Sequence, residues 1–178
     1  ADFKRTEEAL TFSTGANAMM GSVACLFGPD DLIVMDQYAH ASLVCGARIS
    51  RATIKFFKHN DPEALDSLLA RCDAKKPIGV VIDGVYSMRG NIAPMPEIVE
   101  VSKKYGARLL VDDAHGTGVN GENGRGTAER LNCEDGVDLH MGTFSKAFVT
   151  SGGFIAGPKE VVDYIRYMAP TMLFTKSA

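Results

Sequence analysis

Lys146 stands in the run Gly142-Thr143-Phe144-Ser145-Lys146, and Gly152-Gly153 follows five residues later. An amine flanked by hydroxyls and glycines suits nucleophilic work beside an anion. Thr143 and Ser145 can donate to phosphate oxygens, and Lys146 can form an imine with an aldehyde cofactor. A Ser-Lys pair alone is most often solvated surface, so a second stretch, Val111-Asp112-Asp113-Ala114-His115-Gly116-Thr117-Gly118, carries weight. A carboxylate for a protonated pyridine nitrogen and a lysine for an aldehyde are the two contacts that pyridoxal phosphate chemistry requires.

Two further places could contribute. Ser13-Thr14-Gly15-Ala16 opens an apolar helix-like run to Leu26. Free N–H groups and the positive end of the helix dipole there suit phosphate, although an ordinary N-cap at Ser13 or Thr14 would look the same. His40 falls at a strand-to-helix turn, where an imidazole could stack on an aromatic cofactor. A lone histidine is more often structural.

The elements that must position these groups are legible as apolar runs. Leu32–Met35, Ile78–Ile82, Ala107–Val111 and Val137–Met141 read as buried strands, the second without alternation, as in a parallel strand covered on both faces. Thr53–Phe57 and Phe154–Ala156 read as two more. Between them lie helical signals. One begins at Asp61-Pro62 with Leu65, Leu68, Leu69 and Cys72 on one face. Another starts at Pro94 and Pro96 with Ile98, Val101 and Tyr105 inward, and a last one starts at Pro158 with Val161, Tyr164, Ile165 and Met168 inward. Strand and helix alternating with short links predict an α/β fold with a mostly parallel, doubly wound sheet. Ligands bind such sheets outside the carboxyl ends of the strands. His40, Ser87, Asp112, His115, Thr143, Ser145 and Lys146 all follow strand ends, which predicts one shared site.

Composition bounds the rest. The 178 residues are enough for one domain with a real core; 46% are hydrophobic, 23% charged and 18 are glycine. A net charge of −3 gives no electrostatic reason to expect nucleic acid or an anionic membrane. No run approaches the length of a membrane span, and no signal peptide is evident, so a cytoplasmic location is expected. Cys25, Cys45, Cys72 and Cys133 are scattered without a C-x-x-C pair, which favours reduced thiols over disulfides or a metal site.

With these residues in view, the chain resembles the large domain of the pyridoxal-phosphate α-oxoamine synthases, within the fold-type I aminotransferase superfamily. The resemblance runs nearly end to end and rests on His40-Ala41-Ser42-Leu43, Lys58-His59-Asn60, Gly84-Val85-Tyr86-Ser87-Met88, Val111–His115, Gly121–Gly126 and Gly142–Lys146. It implies that Lys146 carries the cofactor, that Asp112 meets the pyridinium nitrogen, and that His115 lies near the phenolic oxygen. It implies His40 on the ring face, with Ser87 in the same pocket. Phosphate contacts would come from Thr143, Ser145 and the turn at Ser13, Thr14, Gly15 and Ala16, with Thr175 reaching the phosphate of a neighbouring subunit. Residues 1–178 would then be a piece of a longer chain, without its N-terminal segment and C-terminal small domain. The implied reaction is decarboxylative condensation of a small amino acid with an acyl-CoA or acyl carrier protein thioester, by a homodimer with shared sites. An aminotransferase or racemase on the same fold, or a non-catalytic partner subunit, is the alternative; a nicotinamide-binding domain lacks its G-x-G-x-x-G. The chain departs from the pattern at Ala16, where an aromatic is usual, at Met19, usually asparagine, at Val149, often glycine, and at Arg89, often acidic or apolar.

Overall fold

The computed structural model describes residues 1–173. The expected phosphate contact Thr175 lies outside the described residues. Seven strands form one sheet: β1 (Glu8–Phe12), β2 (Leu32–Asp36), β3 (Thr53–Phe57), β4 (Ile78–Asp83), β5 (Arg108–Asp112), β6 (Leu139–Thr143) and β7 (Gly153–Gly157). Their order is β1-β7-β6-β5-β4-β2-β3. β7 runs antiparallel to both β1 and β6, and the remaining pairs are parallel.

Alternation along the strands builds two cores. Ile33, Met35, Val81, Leu110, Met141 and Ile155 face one side, where they meet Met19 and Val23 of α1 (Gly15–Leu26), Leu43 and Ala47 of α2 (Ala41–Ser50), and a C-terminal helix. Leu32, Val34, Val80, Ile82, Leu109 and Val111 face the other, against Leu65 and Leu69 of α3 (Pro62–Leu69) and Ile98 of α4 (Met95–Lys104). A short α5 (Thr127–Arg130) closes that layer, and α6 (Lys159–Met168) is the C-terminal helix of the first. Strands buried on both faces explain the near-continuous apolar runs.

The expected face of the last helix is corrected. Val162 and Ile165 are buried, together with Ala169 just beyond the helix, whereas Tyr164 and Met168 are about half exposed. Val161 is partly buried and packs against the same core, so the inward face runs through Val161, Val162, Ile165 and Ala169 rather than through Tyr164 and Met168. No described helix is long and apolar enough to cross a membrane.

Candidate active site

The loops at the carboxyl ends of β1, β2, β4, β5 and β6 converge on a pocket of about 260 Å³. Its first wall is the start of α1. Thr14 caps the helix, its Oγ1 accepting from Asn17 N at 3.1 Å. The amides of Gly15 and Ala16 belong to the first turn, which has no intrahelical carbonyls to meet. The end of β6 lies directly against this turn: a Cβ on Gly15 would stand 2.7 Å from both Cβ and Oγ1 of Thr143. Gly153 is equally constrained, since its Cβ would come within 2.5 Å of Gly15 Cα. Thr143 Oγ1 donates to Gly152 O at 3.0 Å and lies 2.9 Å from Ser145 Oγ. Amides, hydroxyls and the helix dipole thus make one end of the pocket suited to an anion.

The opposite end is acidic. Asp83 and Asp112 close β4 and β5 and stand opposite each other in parallel register. Both are buried and both line the pocket. Asp112 Oδ1 accepts from Ala114 N, and Asp83 Oδ1 from His40 N, each at 3.0 Å. Burial pushes both acids well above the usual carboxylate range; the charge of Asp112 adds to the shift at Asp83, while Lys146 opposes it at both. Two adjacent carboxylates with little solvent favour a cation between them.

Lys146 reaches this pocket from the exposed loop 144–152 joining β6 to β7. His40 and His115 complete the lining. Ser42 N donates to His40 Nδ1 at 3.2 Å and Ser42 Oγ lies 2.7 Å away, so neutral His40 carries its proton on Nε2. Burial, and then the charge of Lys146, hold both imidazoles below their ordinary value; His40 adds a smaller push on His115.

Of the residues expected from sequence, Thr14, Gly15, Ala16, His40, Asp112, His115, Thr143, Ser145 and Lys146 share this pocket. Two do not. Ser13 stands behind the turn, its hydroxyl accepting from Asn17 Nδ2 at 2.9 Å. Ser87 is exposed, because a tight turn, with Gly90 N donating to Tyr86 O at 2.7 Å, carries it away from the strand end. Sequence reading passed over Asp83, although it ends its strand just as Asp112 does, and over Met19 and Ser42. Asp113 is no spare for Asp112: it points away, accepting from Thr127 N at 2.8 Å and Thr127 Oγ1 at 2.6 Å, beside the buried Lys4 ammonium. In a larger open hollow of about 700 Å³ near Arg5, Arg125 is paired with Glu129 and Glu134.

An anion cradle, an amine and a cation-seeking carboxylate pair fit pyridoxal phosphate, whose phosphate, aldehyde and protonated ring nitrogen need those three partners. The comparisons with known proteins point the same way. All 178 residues match the aminotransferase class I and II family. The chain is 44% identical to a serine palmitoyltransferase of Bacteriovorax stolpii, over 96% of this chain and 41% of that protein. It is 44% identical to an 8-amino-7-oxononanoate synthase of Petrotoga mobilis, over 99% of this chain and 46% of that one. A solved structure of SPT with PLP as its internal aldimine superposes with a TM-score of 0.95 at 41% identity, covering 99% of this chain and 44% of that one. The chain spans less than half the length of these relatives.

Proposed function

Because the chain belongs to the aminotransferase class I and II family, on its α-oxoamine synthase branch, we propose that the whole protein condenses a small amino acid with an acyl-CoA thioester. The Cα–carboxylate bond of the amino acid breaks, a bond from Cα to the acyl carbon forms, and CO₂ and free CoA leave. The product is an α-amino ketone. The observation that supports this reading is that Lys146, Asp112 and the anion-suited turn at Gly15 and Thr143 line one pocket.

Pyridoxal phosphate, when bound, supplies an electron sink for the pair left at the amino acid's Cα. The chain's residues do the rest. Gly15, Ala16, Thr143 and Ser145 hold the phosphate, and Asp112 keeps a proton on the ring nitrogen. The flat, neutral face of His40 orients the ring and keeps water from it. Lys146 Nζ would hold the cofactor's aldehyde carbon and, when free, would take the proton from the amino acid's Cα and return one there after CO₂ has left. His115 steadies the phenolic oxygen. The functional unit on this reading is a homodimer acting in the cytoplasm, with Thr175 of each chain serving its neighbour's phosphate.

The test is product analysis of the full-length protein against a matrix of glycine, serine and alanine with acyl-CoAs of graded length. Stoichiometric CO₂ and free CoA with an amino ketone are expected for one pair. Transamination of the amino acid without CoA release would instead make the protein an aminotransferase, and no turnover would favour a non-catalytic partner.

A further inference from the structure

Lys58-His59-Asn60 follows β3, and none of the three lines the pocket. Yet His59 is almost wholly enclosed, with 10% of its side chain exposed, and it sits at the centre of a polar network. Its Nδ1 lies 2.8 Å from Asp36 Oδ1, at the end of β2. The Asp36 carboxylate is fully buried and also accepts from Tyr38 N at 2.8 Å and Asn60 N at 2.9 Å. On the other edge of the imidazole, Nε2 meets the Asn91 amide nitrogen at 2.6 Å. Asn60 Nδ2 donates to Ile92 O at 2.9 Å. The ring itself lies between Tyr38 and Tyr86, at centroid distances of 4.6 and 4.4 Å. The loops that leave β2, β3 and β4 are therefore tied to one buried carboxylate and one imidazole.

What this ties down is the approach to His40. The segment from Asp36 to His40 is a single turn, in which Ala39 N donates to Asp36 O at 3.0 Å. At its far end His40 N donates to Asp83 Oδ1. Arg89 lies over the Tyr38 ring at 4.4 Å and donates to its hydroxyl at 3.0 Å, fastening the same turn from outside. A buried polar cluster on a sheet whose cores are already apolar costs desolvation. Its hydrogen bonds hold three loops in one arrangement, while Asn60 Oδ1, Asn91 Oδ1 and the Tyr86 hydroxyl are buried without a partner among the described residues, so the cluster specifies position more than it adds stability.

We propose that the Asp36–His59–Asn91 chain is a latch that positions His40 over the pocket, by locking the turn from β2 to α2 against the loop after β4. His59 is a positioning residue, because its ring touches the turn and not the pocket. The catalytic consequence rests on the function proposed above; the geometric one does not.

The experiment uses the full-length protein with ¹⁵N-labelled histidine. His59→Phe keeps the packing between Tyr38 and Tyr86 but removes both ring hydrogen bonds, and His59→Asn restores the donor to Asp36. In the parent, His40 titrates below the ordinary histidine value. In His59→Phe its midpoint is expected to return toward about 6.5, and His59→Asn should recover part of the shift. With cofactor and substrates, kcat should fall about tenfold or more, with KM for the amino acid little changed. A His40 titration unmoved by His59→Phe, with only a lower unfolding midpoint, would reduce the latch to a stability element and overturn the proposal. If His59→Phe does not fold, Asn91→Leu cuts the same chain while leaving Asp36 all three donors, and the same two outcomes are read from it. Failure of the parent to bind cofactor would strike the proposed function alone, since the His40 titration is read without it.

Discussion

Replacing Lys4 by methionine tests whether the glycine-rich loop beside the pocket is held from behind. Lys4 is 4% exposed, and its Nζ donates to Thr117 Oγ1 at 2.9 Å and to Arg125 O, with Asp113 Oδ2 3.8 Å away. Burial lowers the Lys4 pKa and raises that of Asp113, and each partner's charge opposes the other's shift. Methionine fills most of the volume but leaves a buried carboxylate without its cation, which costs about 3–5 kcal/mol when such a pair is broken. The ion pair is long, and Asp113 keeps both bonds from Thr127, so the lower end, about 3 kcal/mol, is expected. At a urea dependence of about 2 kcal/mol per molar, the unfolding midpoint should drop by roughly 1.5 M. Asp113→Ala should cost more, because it strands the ammonium and both Thr127 donors. A double-mutant cycle should return a coupling of at least about 1 kcal/mol between the two sites. A Lys4→Met protein with an unchanged midpoint, or strictly additive losses, would refute the reasoning.

Two other outcomes follow from the same geometry. Val149 holds φ at 53° in the Lys146 loop with its side chain 88% exposed, a left-handed conformation costing a β-branched residue about 1–2 kcal/mol; Val149→Gly should leave folding stability equal or higher by urea titration, and a clear loss would show that valine is not strained there. His140 is buried, and burial followed by the charge of Lys4 pushes its pKa down to about 4. The folded state therefore resists protonation: the stability is complete above pH 6.5 and is lost as pH falls toward 4, by up to about 3 kcal/mol. Asp83 and Asp112, shifted upward, act with the opposite sign, gaining stability on acidification, so the effect is read as the difference between wild type and His140→Phe across pH 6.5 to 4. Parallel stability curves would contradict it.

Much of the architecture could be read from the chain because parallel strands buried on both faces leave unbroken apolar runs, as at Ile78–Ile82. Strand ends then mark the site without any tertiary information, which is how Asp112, Thr143 and Lys146 were placed together. Asp83 obeyed the same rule but was masked by the glycine after it, which reads as the start of a loop. Ser87 failed because distance along a loop says nothing about the turn at Gly90 that directs it outward. The face of α6 was only partly legible: Val161 and Ile165 do pack on the core, but Tyr164 and Met168 are about half exposed, and Val162 and Ala169 take the buried places instead. Asp36 and His59 were illegible as partners because they lie 23 residues apart, one at the end of β2 and the other in the turn after β3, and only the parallel pairing of those strands joins them. At Val149 the sequence alone does not show the positive φ of 53° that the structure gives it.

The central claim, that the pocket at the carboxyl edge of the sheet holds pyridoxal phosphate on Lys146, is tested most directly by borohydride reduction of the cofactor-loaded full-length protein and peptide mapping. One pyridoxyl group per chain on the peptide containing Thr143, Ser145 and Lys146, abolished in Lys146→Ala, is the expected result. A label on Lys159 or Lys176 with Lys146 unmodified, or no label on a folded protein saturated with cofactor, would contradict it.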